Sequence, residues 1–173
     1  MNFRLLIRPL LLFALLAVPL LAFAGEEKAP TAEDHMNGLV EMCAASAEAR
    51  AQRHTDKSLY ERLGGYDRIL EMTTEVVRLH TVNDQIKHTV ANVDKKALAK
   101  HVADFMAAGI GGTAEYTGRD LKSSHVHLEL TDADFLAAGG DIITAMRSMD
   151  YGQEEIDEVV CMFVGLKDQV VFK

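Results

Sequence analysis

The feature that most constrains the fold of this chain is a regular succession of helix signals from Ser58 to the carboxyl end. Ser58 can cap a short helix, and apolar residues between 66 and 80 recur at helical spacing instead of alternating. Asp94 can cap a further helix, and Thr131 followed three positions later by Asp134 is typical of a capping box. No strand pattern and no internal repeat interrupts this series, so the sequence predicts an all-α fold.

The last two helices of the series carry features with further consequences. One is predicted over 131–149 with Gly139-Gly140 inside it, where each glycine costs about 1 kcal/mol relative to alanine. Glycines retained inside a helix at such a cost indicate a packing role, and we expect another helix to approach closely at these two positions. The other helix is predicted over 154–169, and we expect its paired carboxylates, at 154–155 and 157–158, to form a solvated face.

The first 24 residues match the pattern of a secretory signal peptide. Arg4 and Arg8 form a positive start, residues 10–21 are apolar, and Ala22-Phe23-Ala24 has the small-x-small form of a cleavage site. A retained N-terminal membrane anchor is the alternative, because residues 5–24 are about long enough to span a bilayer. Arg8 interrupts that longer stretch, which favours cleavage near Ala24 and a periplasmic or secreted protein.

The chain therefore divides into a signal peptide at 1–24, an N-terminal extension at 25–57 and a helical domain at 58–173. The composition of the extension predicts one helix over 32–53. The formal charge is −8, and removal of two arginines with the signal peptide makes the remainder more negative by two. An acidic protein of this kind is a poor partner for nucleic acids, and beyond export we expect no contact with anionic membranes.

Two cysteines, Cys43 in the extension and Cys161 in the last helix, remain in a chain bound for an oxidising compartment. A bridge between them would close a loop of roughly 118 residues, for which chain entropy gives about 4–5 kcal/mol of stability. Two separate buried thiols are the alternative, and the sequence leaves that choice open.

Histidines mark the candidate site. In the helix that begins at Asp94, His101 shares one face with Leu98, Val102 and Phe105, at spacing i, i+3, i+4 and i+7. A lone histidine on an apolar face is commonly a satisfied core residue. Across a glycine-rich turn, however, the chain offers a second pair, His125 and His127, of which helical geometry lets one face the core.

Inward histidines on two helices across an apolar gap suit a flat iron macrocycle, because neutral imidazole is an ordinary axial ligand of haem iron. Neither cysteine lies in a Cys-x-x-Cys-His context, which excludes covalent c-type haem. Structural zinc is disfavoured, since no close Cys/His cluster is present. We expect the four scattered histidines to be solvated or on helix surfaces: His35, His54, His80 and His88.

A series of motifs in fixed order resembles group I truncated haemoglobins over about 110 residues. The motifs are Ser58-Leu59-Tyr60-Glu61-Arg62-Leu63-Gly64-Gly65, Ile86-Lys87-His88, Val93-Asp94, Gly111-Gly112, Tyr116-Thr117-Gly118-Arg119, His125 with Leu128 three positions on, and Leu130-Thr131-Asp132-Ala133-Asp134-Phe135. The resemblance implies a two-over-two helical sandwich around non-covalent haem b, with an extra N-terminal helix in this chain. It also implies that His125 is the proximal iron ligand.

The chain departs from the resembled family on the opposite, distal side of the haem. Val77 stands where the family commonly has a tyrosine, Leu98 where it often has a glutamine, and Thr89-Val90 where it has a phenylalanine pair. These changes remove the donors that would hold partially negative bound oxygen. His101 then has three alternatives: a sixth iron ligand, a donor to a bound gas, or a contact to a haem propionate.

The favoured function is an exported haem protein that binds a diatomic gas, O2, NO or CO, at iron held by His125. The alternative is an electron-transfer or redox-sensing protein with iron on both His125 and His101, which would require a redox partner protein. Nitric oxide dioxygenation is disfavoured, because the distal side has lost its usual tyrosine and glutamine donors and export separates the chain from cytosolic reductases. The remaining cofactor-binding candidates are Leu98, Val102, Phe105, Met106, Leu121, Phe135 and Met146 in the wall, and Arg119 and Lys122 near the propionates.

Overall fold

The computed structural model describes residues 28–173, so the predicted signal peptide lies outside the described residues. Between 28 and 173 the chain forms helices and no strand, which confirms the all-α prediction. The α-helices are α1 (Ala32–Ala45), α2 (Ala47–Asp56), α3 (Leu59–Arg62), α4 (Gly65–His80), α5 (Lys95–Gly109), α6 (Leu121–His125), α7 (Asp132–Ser148) and α8 (Gln153–Val164). Short 3-10 turns lie at Lys87–Val90, Val126–Leu128 and Lys167–Gln169. Within 28–173, no helix combines the length and apolarity needed to cross a membrane.

The helix starts lie where the polar capping residues place them. Ser58 and Thr131 each accept a hydrogen bond from the backbone N–H three residues on, both at 3.3 Å, and each forms a full capping box. Asp94 accepts from the N–H groups of Lys96 and Ala97 at 2.9 and 3.0 Å. These bonds satisfy amide donors that a helix start otherwise leaves without partners.

The single helix expected over 32–53 is in fact two helices that meet at Ser46. The Ser46 hydroxyl donates to the Met42 carbonyl at 2.9 Å, and its backbone leaves the helical region at φ −93° and ψ 0°. A serine that bonds back to the preceding turn competes with the backbone ladder, which explains the break. The last helix also ends earlier than predicted, at Val164 before Gly165.

The core is built where α4 crosses α5 and α7, and α7 in turn packs against α8. Each fully buried side chain contributes about 1.5–3 kcal/mol relative to an exposed one. The largest apolar residues of this kind are Leu59, Leu63, Ile69, Met72, Met106, Met146 and Val159. Two polar links cross the α4–α5 contact: the Tyr66 hydroxyl donates to Asp104 Oδ1 at 2.5 Å, and the Thr73 hydroxyl donates to the Ala99 carbonyl at 2.9 Å.

The solvated face expected for α8 is wrong at Glu158 and holds only in part at Glu155, whose Oε1 lies 2.8 Å from Arg62 Nη1. Glu158 is buried, 4% exposed, and its Oε2 lies 2.6 Å from Arg62 Nη2 and 3.4 Å from Arg53 Nη2. The reason is that α2 and α3 cover this side of α8 and present their arginines to it. His54 is exposed on α2, as expected for a helix-surface residue, and its Nε2 lies 2.5 Å from Glu158 Oε1, at the edge of this Glu158 cluster.

A disulfide joins the extension to the last helix. Cys43 of α1 and Cys161 of α8 are bonded, with Cα atoms 5.4 Å apart and 118 residues apart along the chain. Helix α1 packs on both α7 and α8. The extension is therefore part of the folded body.

Candidate functional site

A cavity of about 760 Å³ opens between α4, α5, α6, α7 and α8. Its volume lies within the roughly 300–1,000 Å³ typical of ligand pockets. The lining is mostly aliphatic, and it includes four histidines: His80, His101, His125 and His127. A large apolar cavity with a few imidazoles at its edge suits a flat, mainly apolar ligand that carries a metal.

His125 is the imidazole whose orientation is best defined. It is the last residue of α6, and its Nδ1 lies 2.7 Å from the Leu121 carbonyl oxygen. Because a carbonyl oxygen only accepts, Nδ1 must carry the proton, and the neutral ring then keeps its free lone pair on Nε2. Metal-ligating histidines are commonly oriented by such a bond from their other nitrogen. Asp120 starts this short helix by accepting from the Ser123 amide at 2.9 Å.

His127 also borders the cavity, which the helical spacing did not predict. The expectation that one residue of the pair faces inward assumed a continuous helix. In the structure α6 ends at His125, and residues 126–128 form a 3-10 turn with tighter geometry. His127 is exposed, whereas His125 is partly buried. Partial burial and the bond to Leu121 distinguish His125 as the better metal ligand of the two.

His101 lines the cavity from α5 but is otherwise exposed. In the part of the chain that the structure describes, its ring takes part in no protein hydrogen bond, unlike the rings of His125 and His80. Its neighbours Leu98 and Val102 are partly buried on the same wall. The geometry leaves the His101 ring without a fixed orientation.

His80 is placed differently from the solvated position expected for it. It ends α4, is 17% exposed, and lines the cavity, with Nδ1 2.8 Å from Asp141 Oδ2 of α7. The Asn83 amide donates to both Asp141 oxygens at 3.0 Å. A carboxylate accepts from Nδ1, so the neutral ring again keeps its lone pair on Nε2. Sequence reasoning missed this group, although Val77 and His80 are three residues apart on one helix face.

The other predicted site residues divide between the cavity, the core and the surface. Leu98, Val102, Phe105, Met106, Arg119, Leu121 and Phe135 line the cavity. Lys122 is exposed and lies outside the lining, while Met146 is fully buried in the core. The Phe105 ring meets Tyr116 edge-on, with centroids 5.3 Å apart, and both rings border the cavity.

The predicted close helix approach at Gly139 and Gly140 is wrong. A Cβ built at either position would meet nothing within 4 Å, and both glycines line the cavity. Their missing side chains widen the cavity instead of admitting another helix. Val77, Leu98, Thr89 and Val90 also line it, so the positions that depart from the resembled family lie in the cavity wall.

Within residues 28–173, no group of three or more His, Cys, Asp or Glu side chains is arranged to hold a bare metal ion. Iron in a macrocycle needs fewer protein ligands, since the macrocycle supplies four nitrogens and the protein one or two axial groups. One well-oriented imidazole, such as that of His125, is therefore sufficient for this class of cofactor.

Comparison with known proteins gives consistent matches. A family model described as bacterial-like globin matches residues 58–172. Group 1 truncated hemoglobin GlbN of Synechocystis sp. is 28% identical over 109 residues, which cover 61% of this chain and 88% of that protein. The 2/2 hemoglobin of Synechococcus sp. PCC 7002, solved in the cyanomet state with covalently attached heme, superposes with TM-score 0.59 at 28% identity, covering 65% of this chain and 94% of that one.

A second solved structure supports the same fold at lower identity. Truncated hemoglobin from Tetrahymena pyriformis in the Fe(III) form superposes with TM-score 0.65 at 20% identity. The superposition covers 68% of this chain and all of that chain.

Proposed function

The chain belongs to the bacterial-like globin family and has the two-over-two truncated-globin fold, and from this premise we propose that it is an exported haem b protein that binds a diatomic gas. Haem b would occupy the cavity between α5 and α6, bound without a covalent link. When bound, the haem would supply iron that takes up O2, NO or CO.

The observation that carries this proposal is the His125–Leu121 hydrogen bond. The bond fixes the tautomer that leaves Nε2 free, and His125 borders a cavity of the right size. His125 would thus hold the iron on the proximal side. Phe105, Leu121 and Phe135 line the same cavity and would exclude water from the macrocycle faces.

The opposite wall determines which gas is held well. Val77 is 4% exposed and Leu98 is partly buried, and neither side chain can donate a hydrogen bond. Bound oxygen carries partial negative charge and needs a donor, whereas carbon monoxide carries little. We therefore expect rapid loss of oxygen relative to carbon monoxide. A dioxygenase reaction, which depends on a long-lived oxygen complex and a redox partner, is disfavoured.

A bis-histidine haem protein for electron transfer or redox sensing is the second candidate. It is favoured by one observation: His101 and His125 border the same cavity from different helices. Against it, the His101 ring is exposed and has no hydrogen bond to orient it among residues 28–173. An unoriented ligand must lose rotamer freedom to coordinate, so the open gas site is the better supported alternative.

The experiment that tests the proposal is haem titration of the apoprotein and its single-histidine variants. We expect the wild type to develop a Soret band with one equivalent of haem and His125→Ala to lose stable binding. His127→Ala should retain haem and serves as the matched control, since it removes a cavity-lining imidazole two residues away. Loss of haem in His127→Ala with retention in His125→Ala would show that the proximal assignment is wrong. A wild type that never forms a Soret band would overturn the function itself.

Export is the remaining part of the proposal. The leader pattern of residues 1–24 supports it, and so does the disulfide, because such bonds persist in oxidising compartments. Fractionation of cells that express the full chain should place a form shortened at Ala24 in the periplasm or the medium. A full-length protein that stays with the membrane would support the anchor alternative instead.

A further inference from the structure

The extension that precedes the globin match contributes to the cavity wall. The family match begins at residue 58, whereas α1 spans Ala32–Ala45. Met36 and Cys43 are buried two helical turns apart, and Leu39 lies between them at spacing i+3 and i−4 on the same face. Leu39 lines the haem cavity. Its neighbour Val40 is 51% exposed, so the inward face of α1 is narrow and well defined.

The disulfide joins α1 to a helix that itself forms the wall. Cys161 lies in α8, where the neighbouring Val160, Phe163 and Val164 all line the cavity. The bond thus fixes α1 beside the part of α8 that would touch a bound macrocycle. Helix α1 packs on α7 as well, and Gly139 and Gly140 of α7 leave open space on the cavity side.

A second attachment holds the rest of the extension to α8. Glu158 lies one turn before Cys161 and pairs with Arg53 and His54 of α2. Because α1 and α2 meet at the break at Ser46, the two attachments hold separate helices. Loss of the disulfide would remove the covalent link between α1 and α8, while the Glu158 cluster would still hold α2.

A cation lies against the disulfide. Arg50 Nη1 is 3.5 Å from Cys161 Sγ and 2.7 Å from the Cys43 carbonyl oxygen. A guanidinium beside the bond stabilises the negative charge on the sulfur that leaves when a disulfide is cleaved, and this favours attack by an external thiolate.

We propose that α1 is a wall of the haem cavity supplied by the N-terminal extension, and that the Cys43–Cys161 bond holds it closed against reduction. A dithiol opens it in two steps. Its first thiolate bonds to one cysteine sulfur and displaces the other cysteine as a thiolate, and its second thiolate then displaces the first cysteine. The dithiol ends as a cyclic disulfide, and both cysteines end as thiols that carry its two protons. The consequence is faster escape of haem, so the inference rests on the proposed haem function.

The test is the rate at which the full haem protein transfers ferric haem to an excess of a scavenging apoglobin, with and without dithiothreitol. Reduction should speed transfer about tenfold, which corresponds to the loss of one buried leucine contact. The double variant Cys43→Ser/Cys161→Ser should transfer at the fast rate under both conditions. With the disulfide intact, Leu39→Ala should also be fast, while Val40→Ala on the exposed side should match the wild type.

Hydrogen exchange of the apoprotein shows whether the disulfide holds α1 in the cavity wall or stabilises the whole fold. Reduction should raise exchange over 32–45 and leave α4 and α5 protected. A uniform rise in exchange over all helices would overturn this inference. So would equal rates of haem transfer by the oxidised, reduced and Leu39→Ala proteins. If all three proteins bind haem, the proposed function would remain intact. A protein that takes up no haem in either state would overturn both.

Discussion

Single residues account for the chemistry of the cavity. His125 and His80 have the same arrangement: each Nδ1 donates to an oxygen from the protein, and each keeps its lone pair on Nε2. His101 has no such partner among residues 28–173. A hydrogen bond to a neighbouring oxygen therefore distinguishes the rings of His125 and His80 from that of His101. Helical periodicity alone could not make this distinction.

The His80–Asp141 pair predicts a measurable loss of stability. Asp141→Ala would remove the acceptor of His80 and of the Asn83 amide, and these donors are partly buried. Leaving such groups without partners costs about 1–3 kcal/mol. Urea unfolding of the apoprotein should report this decrease in the free energy of unfolding. Asp84→Ala is the matched control, because that carboxylate is almost fully exposed in a local pair with Lys87.

A second residue-scale prediction concerns pH. Burial raises the pKa of Asp104, but hydrogen bonds from Lys100 and Tyr66 outweigh it and hold the pKa below its ordinary value. A carboxylate with a lowered folded-state pKa stabilises the fold above its ordinary pKa of about 3.9, and that contribution disappears as the pH falls further. Wild type should therefore lose more stability between neutral pH and pH 3 than Asp104→Asn, measured by urea unfolding. Equal losses would show that Asp104 does not contribute.

At the scale of helices, the sequence predicts where a helix begins, but it does not predict which helices cross or which side chains meet at a crossing. The caps at Ser58, Asp94 and Thr131 could be predicted because each depends on two or three residues in sequence. The His80–Asp141 pair depends on the crossing of α4 with α7, 61 positions apart, which no local pattern encodes. Gly139 was misread for the same reason, since a missing side chain fits a close helix or an open cavity equally well.

The burial of Glu158 likewise depends on the packing of helices that are distant in sequence. Glu158 reads as solvated from its own helix, and only the placement of Arg62 and Arg53 explains its burial. The resemblance to a family supplied what periodicity could not, the choice of His125 over His127, and the structure adds the Leu121 bond as a physical argument for that choice.

The Glu158 cluster gives a prediction at this scale. Glu158→Ala would remove the buried partner of Arg62 and Arg53, although Arg62 would keep Glu155 at 2.8 Å, and the loss of a buried hydrogen-bond partner costs about 1–3 kcal/mol. We expect a corresponding drop in the free energy of unfolding. Glu154→Ala should change it little, because Glu154 is exposed and lies 3.8 Å from Arg53. A Glu158→Ala protein as stable as Glu154→Ala would contradict this view of the cluster.

At the scale of the whole molecule, the disulfide closes most of the chain into one loop. A loop of 118 residues corresponds to about 4–5 kcal/mol in the chain-entropy model. Cys43→Ser/Cys161→Ser should therefore lower the thermal midpoint of the apoprotein relative to the oxidised wild type, as measured by circular dichroism. Dithiothreitol should lower the wild-type midpoint and leave that of the double variant unchanged.

We have proposed that the cavity holds a haem on His125 and leaves the iron open to a gas. The optical spectrum of the reconstituted protein, reduced to the ferrous state without added ligand, distinguishes this site from a bis-histidine one. We expect a five-coordinate, high-spin spectrum that shifts on addition of carbon monoxide. A six-coordinate, low-spin spectrum that becomes five-coordinate only in His101→Ala would contradict it, because His101 and His125 would then hold the iron together.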